Sequence, residues 1–147
     1  MLKNIDHLAI VVTDLEKTKK FFEILGFQET QRSALDSKFI ESVTEIREAA
    51  GSFVGMKHRT SSLVIELQEF SSPNPVPDPA CGQPNRSGFR HLAFAVHDIE
   101  NTVAKLKDFG VEFLSSIRTW EKTGKRLVYF YSPDRILMEL AQYPEEG

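Results

Sequence analysis

The chain contains an internal repeat, and this repeat constrains the fold more than any other feature of the sequence. When residues 7–26 are aligned with residues 91–110, eight of the twenty pairs are identical, including the histidine that begins each copy. Each half also carries one glutamate in a later apolar run, Glu66 in the first half and Glu139 in the second. The repeat therefore predicts two copies of one structural unit, each of which supplies one imidazole and one carboxylate.

The composition is that of a soluble globular protein. A chain of 147 residues with 41% hydrophobic and 27% charged residues fits one domain over residues 1–147. A net charge of −3 without a basic stripe argues against nucleic acid as a partner. No apolar run approaches the ~20 residues of a membrane-spanning helix, and the N-terminus lacks a signal-peptide core. The single cysteine, Cys81, forms no internal disulfide, so we expect a cytoplasmic location without membrane contact.

Each copy is predicted to contain one strand, one helix and three further strands. The first helix follows Thr13 and Asp14, which can cap it, and Thr13 with Glu16 has the spacing of a capping box. Gly26 ends this helix as a left-handed C-terminal residue would, and Gly110 ends the second helix in the same way. The strands are predicted over residues 4–12, 27–31, 52–57 and 62–70 in the first copy, and over 89–96, 111–115, 126–131 and 135–142 in the second.

The predicted fold class is α+β, with two βαβββ modules in tandem. Module one covers residues 1–70 and module two covers residues 89–147. The connector between them, residues 71–88, holds five of the seven prolines, a density that cannot join a sheet ladder. Residues 34–50 stay open, because their apolar positions fit a short helix as well as an irregular strand.

The two histidines and the two glutamates are the candidate functional residues. Strand alternation places His7 on a face with Ala9 and Val11, and His91 on a face with two alanines, and these small neighbours leave room above each imidazole. Each glutamate interrupts an apolar strand, where a carboxylate is costly to bury unless it is paired, protonated or bound to metal. One divalent cation held by His7, Glu66, His91 and Glu139 accounts for both pairs.

Each of these residues has a simpler explanation when it is taken alone. A lone histidine on a strand is more often a satisfied core or surface residue than a ligand, and a lone glutamate usually faces solvent. The equivalent placement of all four in two copies favours the metal site. Nitrogen and oxygen donors without thiolate suit one Ni²⁺, Co²⁺, Zn²⁺, Mn²⁺ or Fe²⁺ ion with open coordination positions.

These motifs resemble those of the vicinal oxygen chelate superfamily, which includes glyoxalase I, methylmalonyl-CoA epimerase, extradiol dioxygenases and the fosfomycin- and bleomycin-resistance proteins. The resemblance covers essentially the whole chain. It lies in Asp6-His7-Leu8-Ala9-Ile10-Val11-Val12 with Asp14-Leu15, Val64-Ile65-Glu66-Leu67, His91-Leu92-Ala93-Phe94 with Asp98-Ile99, and Ser132-Pro133-Asp134 leading to Met138-Glu139-Leu140.

The resemblance implies paired βαβββ modules whose curled mixed sheets form a metal-binding cleft, with ligands at His7, Glu66, His91 and Glu139. The carboxylate at Glu66 makes the chain more similar to the four-ligand isomerases and lyases. The implied activity is that of a glyoxalase I-type isomerase or lyase, acting on a small metabolite with adjacent oxygens through a metal-stabilised enediolate, with Glu66 or Glu139 as general base. The alternatives are an Fe²⁺-dependent ring-cleaving dioxygenase and a non-enzymatic drug- or metabolite-binding protein.

The resemblance leaves the substrate unassigned. Val11 and Phe70 stand where bacterial-type glyoxalase I carries an arginine and an asparagine that touch glutathione, so the sequence does not support glutathione use. Arg118, Trp120 and Arg126 flank a loop of module two and are candidates for binding an anionic substrate tail, although solvated loop charge explains them as well. Relatives are often dimers, so we expect a homodimer whose four ligands come from one chain or from two chains that exchange modules.

Overall fold

A computed structural model describes residues 1–146 of the chain. Those residues form two compact units, unit 1 (Met1–Pro77) and unit 2 (from Asp78 onward). The elements of unit 1 are β1 (His7–Val11), α1 (Leu15–Ile24), β2 (Phe27–Ala34), α2 (Ser37–Thr44), β3 (Ala50–His58) and β4 (Val64–Ser72). The elements of unit 2 are β5 (Leu92–Ala95), α3 (Ile99–Asp108), β6 (Glu112–Phe113), β7 (Arg118–Trp120), β8 (Lys125–Tyr131), a 3-10 turn (Pro133–Arg135) and β9 (Leu137–Gln142).

Unit 1 is a four-stranded mixed sheet with the strand order β1-β4-β3-β2. The strand β1 runs parallel to β4, and the other neighbours are antiparallel. The register pairs Ala9 with Glu66, so both side chains lie on the same face of the sheet as His7. The helix α1 contacts β2, β3 and β4 and buries Leu15, Thr18, Phe21 and Phe22.

Unit 2 repeats this arrangement with the strand order β5-β9-β8-β6, and β7 adds a fifth strand by pairing with β8. The strand β5 runs parallel to β9, with Ala93 paired to Glu139, the equivalent of Ala9 and Glu66. The opposite face carries the core under α3, which buries Ile99 and Leu106 together with Val128, Phe130, Met138 and Leu140. The prediction of two tandem βαβββ modules with mixed sheets is confirmed.

The helices α1 and α3 begin and end as the repeat predicts. Asp14 and Asp98 are their N-caps, and each side chain accepts a hydrogen bond from the backbone N–H three residues later, at 3.0 and 2.9 Å. The capping box expected from Thr13 is wrong, because Asp14 occupies the N-cap position. Gly26 and Gly110, with φ of 89° and 94°, take the left-handed conformation that ends each helix.

The structure decides one segment that the sequence left open and changes two others. Of residues 34–50, Ser37–Thr44 form the helix α2, which Asp36 caps by accepting a hydrogen bond from Phe39 N. The segment predicted as a loop of module two contains the strand β7, which forms a hairpin with β8. The strand β4 extends to Ser72, two residues into the predicted connector. No helix within residues 1–146 is long and apolar enough to cross a membrane.

Candidate metal centre

In unit 1 the fold brings His7 and Glu66 together on one face of the sheet. His7 Nε2 lies 4.0 Å from Glu66 Oε2, and the two side chains are 42% and 22% exposed. The other oxygen, Glu66 Oε1, accepts a hydrogen bond from Gln68 Nε2 at 2.6 Å. A neutral amide therefore orients this carboxylate, while its second oxygen faces the imidazole.

The second ring nitrogen of His7 is held by its neighbour in the chain. His7 Nδ1 lies 2.6 Å from Asp6 Oδ2, and this hydrogen bond is the main cause that raises the pKa of the imidazole, with a smaller contribution from the charge of Glu66. When a carboxylate binds Nδ1–H in a neutral histidine, Nε2 is left as the lone-pair donor. Asp6 thus leaves the nitrogen that faces Glu66 suited to bind a metal.

Unit 2 contains the equivalent pair in a more buried form. His91 Nε2 lies 3.2 Å from Glu139 Oε2, and the Glu139 side chain is only 6% exposed. The ring of Tyr129, which is paired with Glu139 across β8 and β9, meets the His91 ring edge to face with centroids 5.2 Å apart. Burial raises the pKa of Tyr129, and the charge of Glu139 raises it further.

A lysine accompanies the buried carboxylate of unit 2. Lys125 Nζ lies 2.9 Å from Glu139 Oε1, and this partner raises the pKa of the ammonium. The distance is that of a close ion pair, so this carboxylate oxygen faces a positive charge. A buried carboxylate is costly without a positive partner, and the Lys125 ammonium is that partner here.

The donors of each unit fit the predicted ion. Each unit supplies one imidazole Nε2 and one carboxylate oxygen, a set that suits first-row divalent cations. Within residues 1–146, no three or more histidine, cysteine, aspartate or glutamate side chains gather closely enough to hold a metal ion. The convergence of His7, Glu66, His91 and Glu139 on one ion stays a prediction.

A further pair of polar residues positions the two helices, and the sequence analysis missed it. Glu69 Oε2 accepts a hydrogen bond from Leu15 N at 2.5 Å, and Gln142 Oε1 accepts one from Ile99 N at 2.8 Å. Each lies three residues after the glutamate of its unit, so extending the repeat beyond Glu66 and Glu139 would have revealed them. They tie the start of each helix to the strand that carries the candidate ligand.

The predicted substrate-binding residues lie on two different faces of the second sheet. The register pairs Arg118 with Leu127 and Trp120 with Lys125, so Arg118 and Trp120 share the face of Glu139. Arg126 lies on the opposite face, where its guanidinium pairs with Glu100 in the first turn of α3. The role predicted for these residues in substrate binding stays a prediction, but only Arg118 and Trp120 share a face with the candidate ligand.

Comparison with protein families agrees with this architecture. The model of the Glyoxalase/Bleomycin resistance protein/Dioxygenase superfamily matches residues 4–140. The chain belongs to this superfamily. It is 38% identical to the uncharacterized protein YwkD of Bacillus subtilis (strain 168) over 143 residues, covering 95% of this chain and 97% of that protein. It is also 38% identical to the uncharacterized protein YaeR of Escherichia coli (strain K12) over 140 residues, covering 95% of each.

Solved structures of the superfamily share the fold. A glyoxalase family protein from Bacillus cereus superposes with a TM-score of 0.90 at 26% identity, covering 97% of this chain and 95% of that one. The fosfomycin resistance protein FosX from Listeria monocytogenes, complexed with Mn(II) and sulfate, superposes with a TM-score of 0.64 at 22% identity, covering 99% and 96%. Members of the superfamily with this fold therefore include a protein that binds a divalent metal.

Proposed function

We propose that this superfamily member is a divalent-metal-dependent isomerase or lyase of the glyoxalase I type, with His7, Glu66, His91 and Glu139 as ligands of one ion. The observation that carries the proposal is the pair of equivalent histidine–glutamate contacts, one in each unit. The Mn(II) complex of the structurally similar FosX supports a metal of this class. When bound, the cation would act as a Lewis acid, which would polarise two adjacent substrate oxygens and make the neighbouring C–H more acidic.

Glu66 is the better candidate for the general base. Its side chain is 22% exposed, so a substrate can reach it, and only one of its oxygens is held, by the neutral amide of Gln68. The Glu139 side chain is only 6% exposed, and its Oε1 lies against the Lys125 ammonium, so this carboxylate is less accessible to a substrate. Once loosened from the metal, the Glu66 carboxylate would take the proton from the substrate and return it to the adjacent carbon.

Arg118 and Trp120 are the proposed substrate contacts. Both are exposed, and both lie on the face of Glu139 at the edge strand β7. A guanidinium beside an indole suits an anionic group attached to an apolar stem. Arg118→Ala should raise KM about tenfold with little change in kcat, because this contact does not change during proton transfer. Arg126 keeps its predicted role only if Arg126→Ala raises KM in the same way.

Proton exchange monitored by NMR in deuterated water tests the proposed chemistry. The metal-loaded protein would be offered thiol adducts of dicarbonyls and acyl-CoA epimers, in which the exchangeable C–H lies next to a carbonyl. Deuterium should enter the carbon next to a carbonyl, and Glu66→Gln should slow that exchange by at least a hundredfold. Oxygen uptake with an iron-loaded protein would instead support the dioxygenase alternative. Tight binding of a ligand by the metal-free protein, without turnover, would support the binding-protein alternative.

A further inference from the structure

The carboxylates of the two units have different partners, although the units share one fold. Glu66 Oε1 accepts a hydrogen bond from the neutral Gln68 amide at 2.6 Å, whereas Glu139 Oε1 lies 2.9 Å from the Lys125 ammonium. Glu139 is also far more buried than Glu66, with side-chain exposures of 6% and 22%. A buried carboxylate is costly without a positive partner, so the unit that buries its glutamate more deeply is the one that supplies a cation.

Strand geometry places this ammonium on the candidate metal face. Lys125 begins β8 and alternates with Leu127 and Tyr129, and the register pairs Tyr129 with Glu139. The Lys125 side chain is 20% exposed, and its ammonium also lies 5.5 Å from the centre of the Tyr143 ring. The ammonium therefore lies against Oε1 of the carboxylate that the proposed function assigns to a divalent cation, while Oε2 of the same carboxylate faces His91.

We propose that Lys125 is the internal counter-ion of Glu139 in the metal-free protein and that Glu139 exchanges this lysine for the divalent cation. The inference rests on the proposed metal site. An ammonium 2.9 Å from Oε1 competes for the negative charge of the carboxylate and repels a second positive charge beside it. Lys125 is thus a positioning residue that stabilises the empty site and weakens its affinity for metal. In unit 1 the equivalent carboxylate, Glu66, is held by the neutral amide of Gln68 instead of by a lysine.

Metal titration of chelator-treated protein at low salt tests this inference. Mn²⁺ binding would be measured by calorimetry for the wild type, Lys125→Met, Lys125→Arg and the control Lys122→Met, an exposed lysine in the turn of the same hairpin. Lys125→Met should bind Mn²⁺ about fivefold more tightly, as expected when a partly exposed ion pair no longer competes. Lys125→Arg, which keeps the positive charge, and Lys122→Met should stay within about twofold of the wild type.

Unfolding of the metal-free proteins by urea provides a readout that does not need metal. Lys125→Met should lower the urea midpoint, because it leaves a buried carboxylate without its counter-ion. The double variant Lys125→Met/Glu139→Gln should recover most of the lost urea midpoint, since a neutral amide needs no cation. A Lys125→Met effect that is unchanged in the Glu139→Gln background would overturn the counter-ion role.

The outcomes separate this inference from the proposed function. The inference alone fails under three conditions together: the wild type binds Mn²⁺, Glu139→Gln abolishes this binding, and Lys125→Met binds Mn²⁺ no more tightly than the wild type does. If the wild type binds no divalent metal, or if Glu139→Gln leaves binding unchanged, the proposed function fails and the exchange of partners fails with it.

Discussion

The side chain of Glu69 in β4 accepts a hydrogen bond from the backbone N–H of Leu15, the first residue of α1, at 2.5 Å. The first N–H groups of a helix have no partner within the helix, and a carboxylate there also interacts favourably with the helix dipole. The amide of Gln142 does the same for Ile99 in α3. In both units, the strand that carries the candidate glutamate thus also holds the start of the helix that follows the candidate histidine in the chain.

Glu69→Ala should lower the free energy of unfolding by about 1 kcal/mol, the usual effect of losing one N-terminal capping interaction. Glu69→Gln should recover much of this loss, because Gln142 shows that an amide oxygen serves the same purpose in unit 2. Urea denaturation measures both variants, with Glu121→Ala in the exposed β7–β8 turn as a control for loss of charge. Equal stability of Glu69→Ala and the wild type would show that the contact contributes nothing.

Glu29 predicts a pH dependence of stability. Its carboxylate lies 2.6 Å from Arg32 Nε and 2.9 Å from Lys19 Nζ, and the hydrogen bond from Arg32, followed by that from Lys19, lowers the pKa of Glu29 from 4.5 to about 2. Because the folded pKa lies below the unfolded one, the stabilisation is present above pH 4.5 and is lost as the pH falls toward 2.

Glu29→Gln should therefore be less stable than the wild type at pH 7, and the difference should shrink steadily between pH 4.5 and pH 3. Urea midpoints measured across this range provide the check, and added salt should reduce the difference at pH 7 because these charges are exposed. Glu121→Gln, the same substitution in the β7–β8 turn, should show no such dependence. A stability difference that is the same at pH 7 and pH 3 would rule out the ionic origin.

The two glycines that end α1 and α3 provide a matched pair for backbone strain. Both have positive φ, so alanine is strained at either position. A Cβ at Gly26 would also lie 2.9 Å from His58 Nε2, whereas one at Gly110 would meet nothing within 4 Å. The His58 ring is held on its other side, where Nδ1 lies 2.6 Å from Thr60 Oγ1.

Gly110→Ala should lower the free energy of unfolding by about 1 kcal/mol through backbone strain alone. Gly26→Ala should lower it further, because the new methyl group must also displace the His58 ring. Thermal denaturation of the two single variants measures the difference. His58→Ala should bring the cost of Gly26→Ala close to that of Gly110→Ala. If the two glycine variants are equally destabilised with His58 present, the ring moves aside without cost.

The sequence predicted much of the fold because the repeat and the helix signals are local. Asp14 and Asp98 cap helices, and Gly26 and Gly110 end them, through contacts within a few residues. The helix α2 was left open because it is only eight residues long, and the apolar positions of so short a segment fit an irregular strand as well as a helix. The strand β7 was missed because its three exposed residues gain their order only from pairing with β8.

The candidate site was predicted in part for the same reason. The histidine and glutamate of each unit could be paired because both occur at equivalent places in the repeat and because strand alternation sets their faces. The contact between Lys125 and Glu139 could not be predicted from the sequence, since it depends on the register of β8 against β9, which the sequence does not specify. The opposite orientation of Arg126 follows from the same register.

Metal content of the wild type and of four single variants tests the central claim most directly. The protein and its His7→Ala, Glu66→Gln, His91→Ala and Glu139→Gln variants would be loaded with Mn²⁺, dialysed and measured by elemental analysis, with far-UV circular dichroism to confirm folding. A shared site predicts about one ion per chain in the wild type, with substantial loss in each variant, because a cation held by four donors weakens when any one is removed. A wild type without bound metal, or metal content that survives both substitutions in one unit, would contradict a single ion shared by the two halves.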